Sequence, residues 1–186
     1  MIARKMYIVI AVLASVFASC DHNVMSISSE DPSLVIADSI YTYAGEFYNG
    51  VITSDPQSPF VSTQYDVKHG QLHGDYQEWH SHAQLKTDKH FRKGKEHGKQ
   101  KGYHYNGKLS YEYACNNGLR QGLYKEYFPS GSLQIKRQYD KGKEVRNKIL
   151  DYDGKVLAHY VIRDGEYYGL LSFSNCISVI NEEKQQ

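Results

Sequence analysis

The stretch YEYACNNGLRQGLYKEYFPSGSL, residues 111–133, decides the fold. It sets glycines at 118, 122 and 131, aromatic residues between them, and no run of aliphatics. Tyrosine favours strands and glycine favours turns. Outward from this stretch the same glycines recur. Gly70, Gly94, Gly118, Gly142 and Gly165 are spaced 24, 24, 24 and 23 residues apart. Gly74, Gly98, Gly122 and Gly169 follow four residues behind, with Arg146 in the missing place. Gly107, Gly131 and Gly154 make a third series, preceded by Ala83. Three columns that keep one period mark a repeat architecture. The units are residues 62–85, 86–109, 110–133 and 134–156, then a partial unit over 157–173.

Within a unit the segments between glycines alternate as strands do. In GLYKEYF, Leu123, Lys125 and Tyr127 share one face, while Tyr124, Glu126 and Phe128 share the other. Asn106-Gly107, Ser130-Gly131 and Asp153-Gly154 suit two-residue hairpin turns, and RKGKEHG, NNGLRQG and RDGEYYG read as longer loops. Each unit is therefore a β-hairpin, and successive hairpins extend one antiparallel sheet. The expected fold class is all-β, an elongated antiparallel β-hairpin repeat sheet. Aligned columns name its ladders: Val67, Phe91, Cys115, Tyr139 and Ile162; Trp79, Tyr103 and Tyr127; and Tyr65, Tyr113 and Tyr160, broken by Lys89 and Arg137. A lone hairpin is barely stable, so neighbours must cover one another.

The N-terminus, MIARKMYIVIAVLASVFASC, has a basic start at Arg4 and Lys5, an apolar stretch of twelve residues over 6–17 interrupted only by Ser15, and small residues before Cys20. That apolar run suits an export signal and falls short of the roughly 20 residues of a bilayer span. Phe17-Ala18-Ser19-Cys20 resembles the lipobox of bacterial lipoproteins, which implies cleavage before Cys20 and acylation of its thiol. The expected organisation is a signal peptide over 1–19, a polar tether over 20–40, the repeat domain over 41–176 and a tail over 177–186. The expected location is the bacterial cell envelope, at the outer membrane, with the lipid as the membrane contact. Cys115 and Cys176 pair as a disulfide or stay as buried thiols.

YHYNGKL, YKEYFPSGSL and YDKGKE resemble the MORN-repeat variant of bacterial proteins, over residues 62–173. EFYNGVI, residues 46–52, is similar to half a unit. The resemblance implies elongated hairpin repeats; members carry antitoxin or membrane-binding labels. An exported chain does not meet a cytoplasmic toxin, which sets the antitoxin label aside.

The formal charge is +1 over 186 residues. Of the 22 basic residues, Arg4 and Lys5 belong to the leader, which leaves the rest one short of the 21 acidic residues. A balanced chain gives no reason to expect nucleic acid as a partner. No G-x-S-x-G elbow, Cys-His-Asp set, paired carboxylates or phosphate-binding glycine loop is present. A thin sheet also offers little enclosed space for a reaction. The expectation is a non-catalytic module that needs no cofactor and binds an envelope protein or glycan through its flat faces, with Trp79, Tyr103 and Tyr127 as the binding column. The alternative is an envelope metal-binding protein using the cluster from His69 to His104. His73 and His97 share a column there, as do His80 and His104, with His69, His82 and His90 beside them. Against it, equivalent positions on successive hairpins lie about 10 Å apart, two strand spacings of 4.7–4.9 Å. An antitoxin or a hydrolase has less in the sequence to support it.

Overall fold

The structure is a computed structural model and describes residues 25–54, 62–80, 84–173 and 176–180. In chain order the strands are β1 (Ser26–Ser28), β2 (Leu34–Ala37), β3 (Ile40–Tyr43), β4 (Glu46–Phe47), β5 (Gly50–Thr53), β6 (Ser62–Lys68), β7 (Gln71–His80), β8 (Gln84–Arg92), β9 (Lys95–Glu96), β10 (Gly98–Tyr103), β11 (Leu109–Asn116), β12 (Leu119–Tyr127), β13 (Leu133–Asp140), β14 (Lys143–Leu150), β15 (Val156–Arg163), β16 (Glu166–Phe173) and β17 (Cys176–Ile180). The described residues contain no helix. Fourteen strands form one sheet in the order β1-β5-β6-β7-β8-β10 and onward to β17, with β9 beside β8. Beyond β5 the neighbours follow in sequence order, antiparallel throughout, apart from the short β9 between β8 and β10, so the sheet is a chain of hairpins as its period requires. At 4.7–4.9 Å per strand it runs about 60 Å from edge to edge.

Both turn types differ in length from the sequence reading. The tight turns are His69-Gly70, Lys93-Gly94, Asn117-Gly118, Lys141-Gly142 and Asp164-Gly165. Both residues of each have φ between 48° and 84°, and Lys68 pairs with Gln71 across the first of them. Positive φ at both central residues is the type I′ hairpin turn, whose twist matches the strands. The Asn-Gly, Ser-Gly and Asp-Gly sites are instead three-residue loops. His104 N donates to Lys108 O and Gly107 N to His104 O, and the same pair of bonds recurs at Phe128 and at Asp151. Only the glycine there has positive φ, as in a type I turn followed by a left-handed residue.

The first glycine series has a second use. Gly70 N donates to Tyr48 O, Gly94 N to Leu72 O, Gly118 N to Glu96 O and Gly142 N to Arg120 O, at 2.9–3.0 Å. Each turn is thereby tied to the hairpin before it. Gly74 and Gly122 of the second series lie where β7 and β12 bulge against β6 and β11.

The folded part begins earlier than expected. Residues 25–40, assigned to a tether, hold β1, β2 and the start of β3. β2, β3 and β4 form a small sheet against the first hairpins. Ile27, Tyr48, Ile52 and Val67 are buried together there, with Leu34, Tyr41, Tyr43, Tyr65 and Leu72 packed around them. This is the cap that an open repeat array needs at its end. The run LVIA over 34–37 carried the strand signal, but its polar flanks obscured it. Residues 177–180 of the expected tail likewise belong to β17. The leader, Cys20, His82 and residues 181–186 lie outside the described residues.

Candidate binding face

Strand alternation gives the long sheet two chemically different faces. One is covered by its own side chains. Along β6 to β15 the strand register aligns Tyr65, Tyr76 and Lys89, then Gln100 and Tyr113, then Tyr124, Arg137, Asn147 and Tyr160, with breaks where β8 and β10 lose their ladder and where β12 bulges against β11. Tyr65 stacks on Tyr76 with ring centroids 5.5 Å apart, Tyr76 meets Phe91 at 5.8 Å, and Tyr113 meets Tyr124 at 5.6 Å. The Arg120 guanidinium lies 5.0, 5.2 and 5.5 Å from the rings of Tyr113, Tyr124 and Tyr139. Val67, Cys115 and Tyr139 of the first sequence ladder are buried beside this row.

The row alternates every two hairpins. Lys89 Nζ pairs with Glu96 Oε1 at 2.9 Å, and Tyr113 OH donates to Glu96 Oε2 at 3.1 Å. Two hairpins on, Arg137 Nε stands 3.5 Å from Glu144 Oε2, and Tyr160 OH donates to Glu144 Oε1 at 2.9 Å. Lys89 and Arg137, which break the tyrosine column, are thus the cations of a repeated cation–carboxylate–tyrosine set. Burial raises the Glu96 pKa, but Lys89, Tyr113 and Cys115 outweigh it, and its carboxyl titrates below the usual value. Burial, with Glu96 alongside, pushes the Tyr113 hydroxyl up. Cys115 is a free, buried thiol whose Sγ donates to Glu96 Oε2 at 3.5 Å. Burial and then Glu96 push its pKa up to about 11. Gln100 is fully buried where β8 and β10 lose their ladder: its Nε2 donates to His90 O at 3.0 Å and its Oε1 accepts from His90 N at 3.2 Å.

The second face is open. Its central row, in register, is Gln77, Asp88, Lys101, Glu112, Lys125, Lys136, Lys148, His159 and Leu170. Trp79, Tyr103 and Tyr127 stand on this face by strand alternation, each half-buried and opposite Leu85, Leu109 and Leu133. Tyr127 OH and Lys125 Nζ both donate to Glu112 Oε1, at 2.9 and 2.8 Å. The expected column is therefore real as a geometric feature, and it borders a row rich in lysine. Two shallow grooves meet at Leu123. One, of about 210 Å³, includes Lys99, Lys101, Glu112 and Lys125 in its lining. The other, of about 440 Å³, is lined by Leu123, Lys136, Arg137, Gln138, Arg146, Lys148 and His159.

The histidines are placed separately. His80 and His104 hold backbone carbonyls of the next hairpin. His90 Nδ1 pairs with Asp75 Oδ1 at 3.1 Å, His73 lies on β7, and His97 lies between β9 and β10. Among the described residues no three His, Cys, Asp or Glu side chains converge as a metal site would require. Sequence reasoning missed Lys136, Arg146, Lys148 and His159, although their alternation along β13 to β15 was readable. No family model matches the chain, and no curated protein matches it.

Proposed function

We propose that this chain is a cell-envelope lipoprotein, held at the membrane by acylated Cys20, whose hairpin-repeat sheet is a non-catalytic binding scaffold. The observation that carries the binding half is the difference between the two faces. On one, Arg120 lies over the rings of Tyr113, Tyr124 and Tyr139, and Tyr113 donates to Glu96. On the other, a row of lysines lies along shallow, open grooves, with the Trp79, Tyr103 and Tyr127 column two residues farther along its strands. Aromatic and basic side chains at a broad surface suit recognition better than chemistry, which asks for a closed, dry site. The anchor half rests on Phe17-Ala18-Ser19-Cys20 behind an apolar run of export length.

Two measurements test this. Radiolabelled palmitate should enter the wild-type chain and not Cys20→Ala; label in the variant refutes the anchor. Capture from an envelope extract should fall when Trp79, Tyr103 and Tyr127 are replaced by Ser. Unchanged capture refutes the open face as the binding surface.

A further inference from the structure

Resting on the open-face reading, the larger groove names a class of ligand. Lys125, Lys136, Lys148 and His159 are direct cross-strand neighbours on four successive strands, β12 to β15. Lys125 is paired with Glu112. Lys136 and Lys148 make no ion pair among the described residues, and no carboxylate lines the groove between them and Arg146. Asp140, farther along β13, accepts a hydrogen bond from Gln121. Like charges set directly across strands repel, so the sheet holds this arrangement at a cost in stability. An anion laid along the row reverses the sign of that term.

We propose that the groove binds a linear acidic polysaccharide that carries one carboxylate per sugar and lies across β12 to β15. Charge is the first ground: Lys136, Arg146 and Lys148, with the His159 ring at the end, face a lining without acid. Spacing is the second. Cations one strand apart recur every 4.7–4.9 Å, on the scale of one sugar unit of an extended chain. Shape is the third, since an open trough admits a chain rather than a compact ligand. No Phe, Tyr or Trp lines the groove itself, so nucleobases find no broad stacking platform there.

The test uses the full chain in detergent micelles and polygalacturonate as the probe. Binding should weaken as salt rises, and the neutral methyl ester of the same polymer should not bind. Lys136→Gln with Lys148→Gln should cost about tenfold or more in affinity, because charge-assisted contacts are the strong ones. Lys99→Gln with Lys101→Gln, at the smaller groove where Glu112 sits among the lysines, should cost less than about threefold. The melting temperature of the Lys136→Gln, Lys148→Gln chain should hold or rise, which a merely structural role for these lysines does not allow. Polygalacturonate left unbound, or bound equally by the double variant, overturns the proposal. So does tighter binding of polyglutamate, a single-stranded oligonucleotide or anionic vesicles. If polygalacturonate fails while envelope capture through the open face persists, the ligand class falls and the surface reading stands; if both fail, the surface reading falls too.

Discussion

Nε2 of His104 lies 2.8 Å from the carbonyl oxygen of Tyr127, and one period earlier His80 makes the same contact with Tyr103 at 3.3 Å. A carbonyl only accepts, so Nε2 carries the hydrogen in both rings, and Nδ1 alone is left for a ligand. The imidazole of His80 also stacks on Tyr105 at 3.9 Å, and the next aromatic in that column, Phe128, stacks on Tyr152 at 3.8 Å. These rings close the loop edge of the sheet, hairpin upon hairpin. His80→Phe keeps the stack and loses one hydrogen bond, so it should cost less than about 1.5 kcal/mol. His80→Ala loses both and opens space at a buried position, so it should cost about 2–3 kcal/mol. Urea unfolding of the two variants checks the order; equal losses would remove the ring from the account.

Cys115 supplies a chemical check on the covered face. With its pKa near 11 against an ordinary 9.0, the thiolate at pH 8 is scarcer by about a hundredfold, since each pKa unit is a factor of ten. In a chain with Cys20→Ser and Cys176→Ser, iodoacetamide should label Cys115 at least that much more slowly in the folded state than in urea. Labelling at the rate of a free thiol would mean that Glu96 and the ring layer do not cover it.

The hairpin period, the all-β class and the buried ladder of Val67, Cys115 and Tyr139 were legible because glycine and tyrosine recur in columns. The turn lengths were not. Asn-Gly is the best two-residue signal, yet here Asn106 takes an ordinary φ and only Gly107 turns left-handed. Lys93 and Lys141 accept positive φ that their side chains disfavour, because the following glycine is bonded to the preceding hairpin. Tertiary ties of that kind leave no local mark. The alternation over two hairpins, by contrast, was present in the sequence at Lys89 and Arg137 and read only as an interruption. Its meaning required Glu96 and Glu144 to be seen between strands.

The strain at the tight turns is itself testable. Left-handed backbone costs an ordinary side chain roughly 1–2 kcal/mol, and Asn tolerates it better. Lys141 has φ 48° on an exposed turn. Lys141→Asn should therefore stabilise the protein by up to about 1 kcal/mol. Asn117→Lys, the reverse change at the equivalent turn, should destabilise it by a similar amount. Chemical denaturation of both variants measures the pair, and effects of the same sign would refute the turn assignment.

The Lys89–Glu96 pair offers the sharpest separation of charge from packing. Both side chains are 26% exposed. Removing one partner should thus cost about 1–2 kcal/mol, less than in a dry interior. The first hairpin carries Leu72 at the position of Glu96, packed with tyrosines. Lys89→Met with Glu96→Leu should accordingly recover most of the loss from either single change, and a double-mutant cycle reads the coupling. The pH dependence follows from the same group. Glu96 titrates below its ordinary 4.5 in the folded chain, so its contribution is full above that value. It disappears as pH falls through the folded-state pKa. The double variant should show a shallower loss of stability than the wild type as pH falls below the ordinary 4.5 of Glu96. A residual slope will remain, because Glu78 and Glu112 are also lowered: in Glu78 the bonds to Tyr76 and Lys86 outweigh burial, and in Glu112 the bond from Lys125 dominates. Identical acid profiles for the two chains would show that Glu96 draws no stability from its partners.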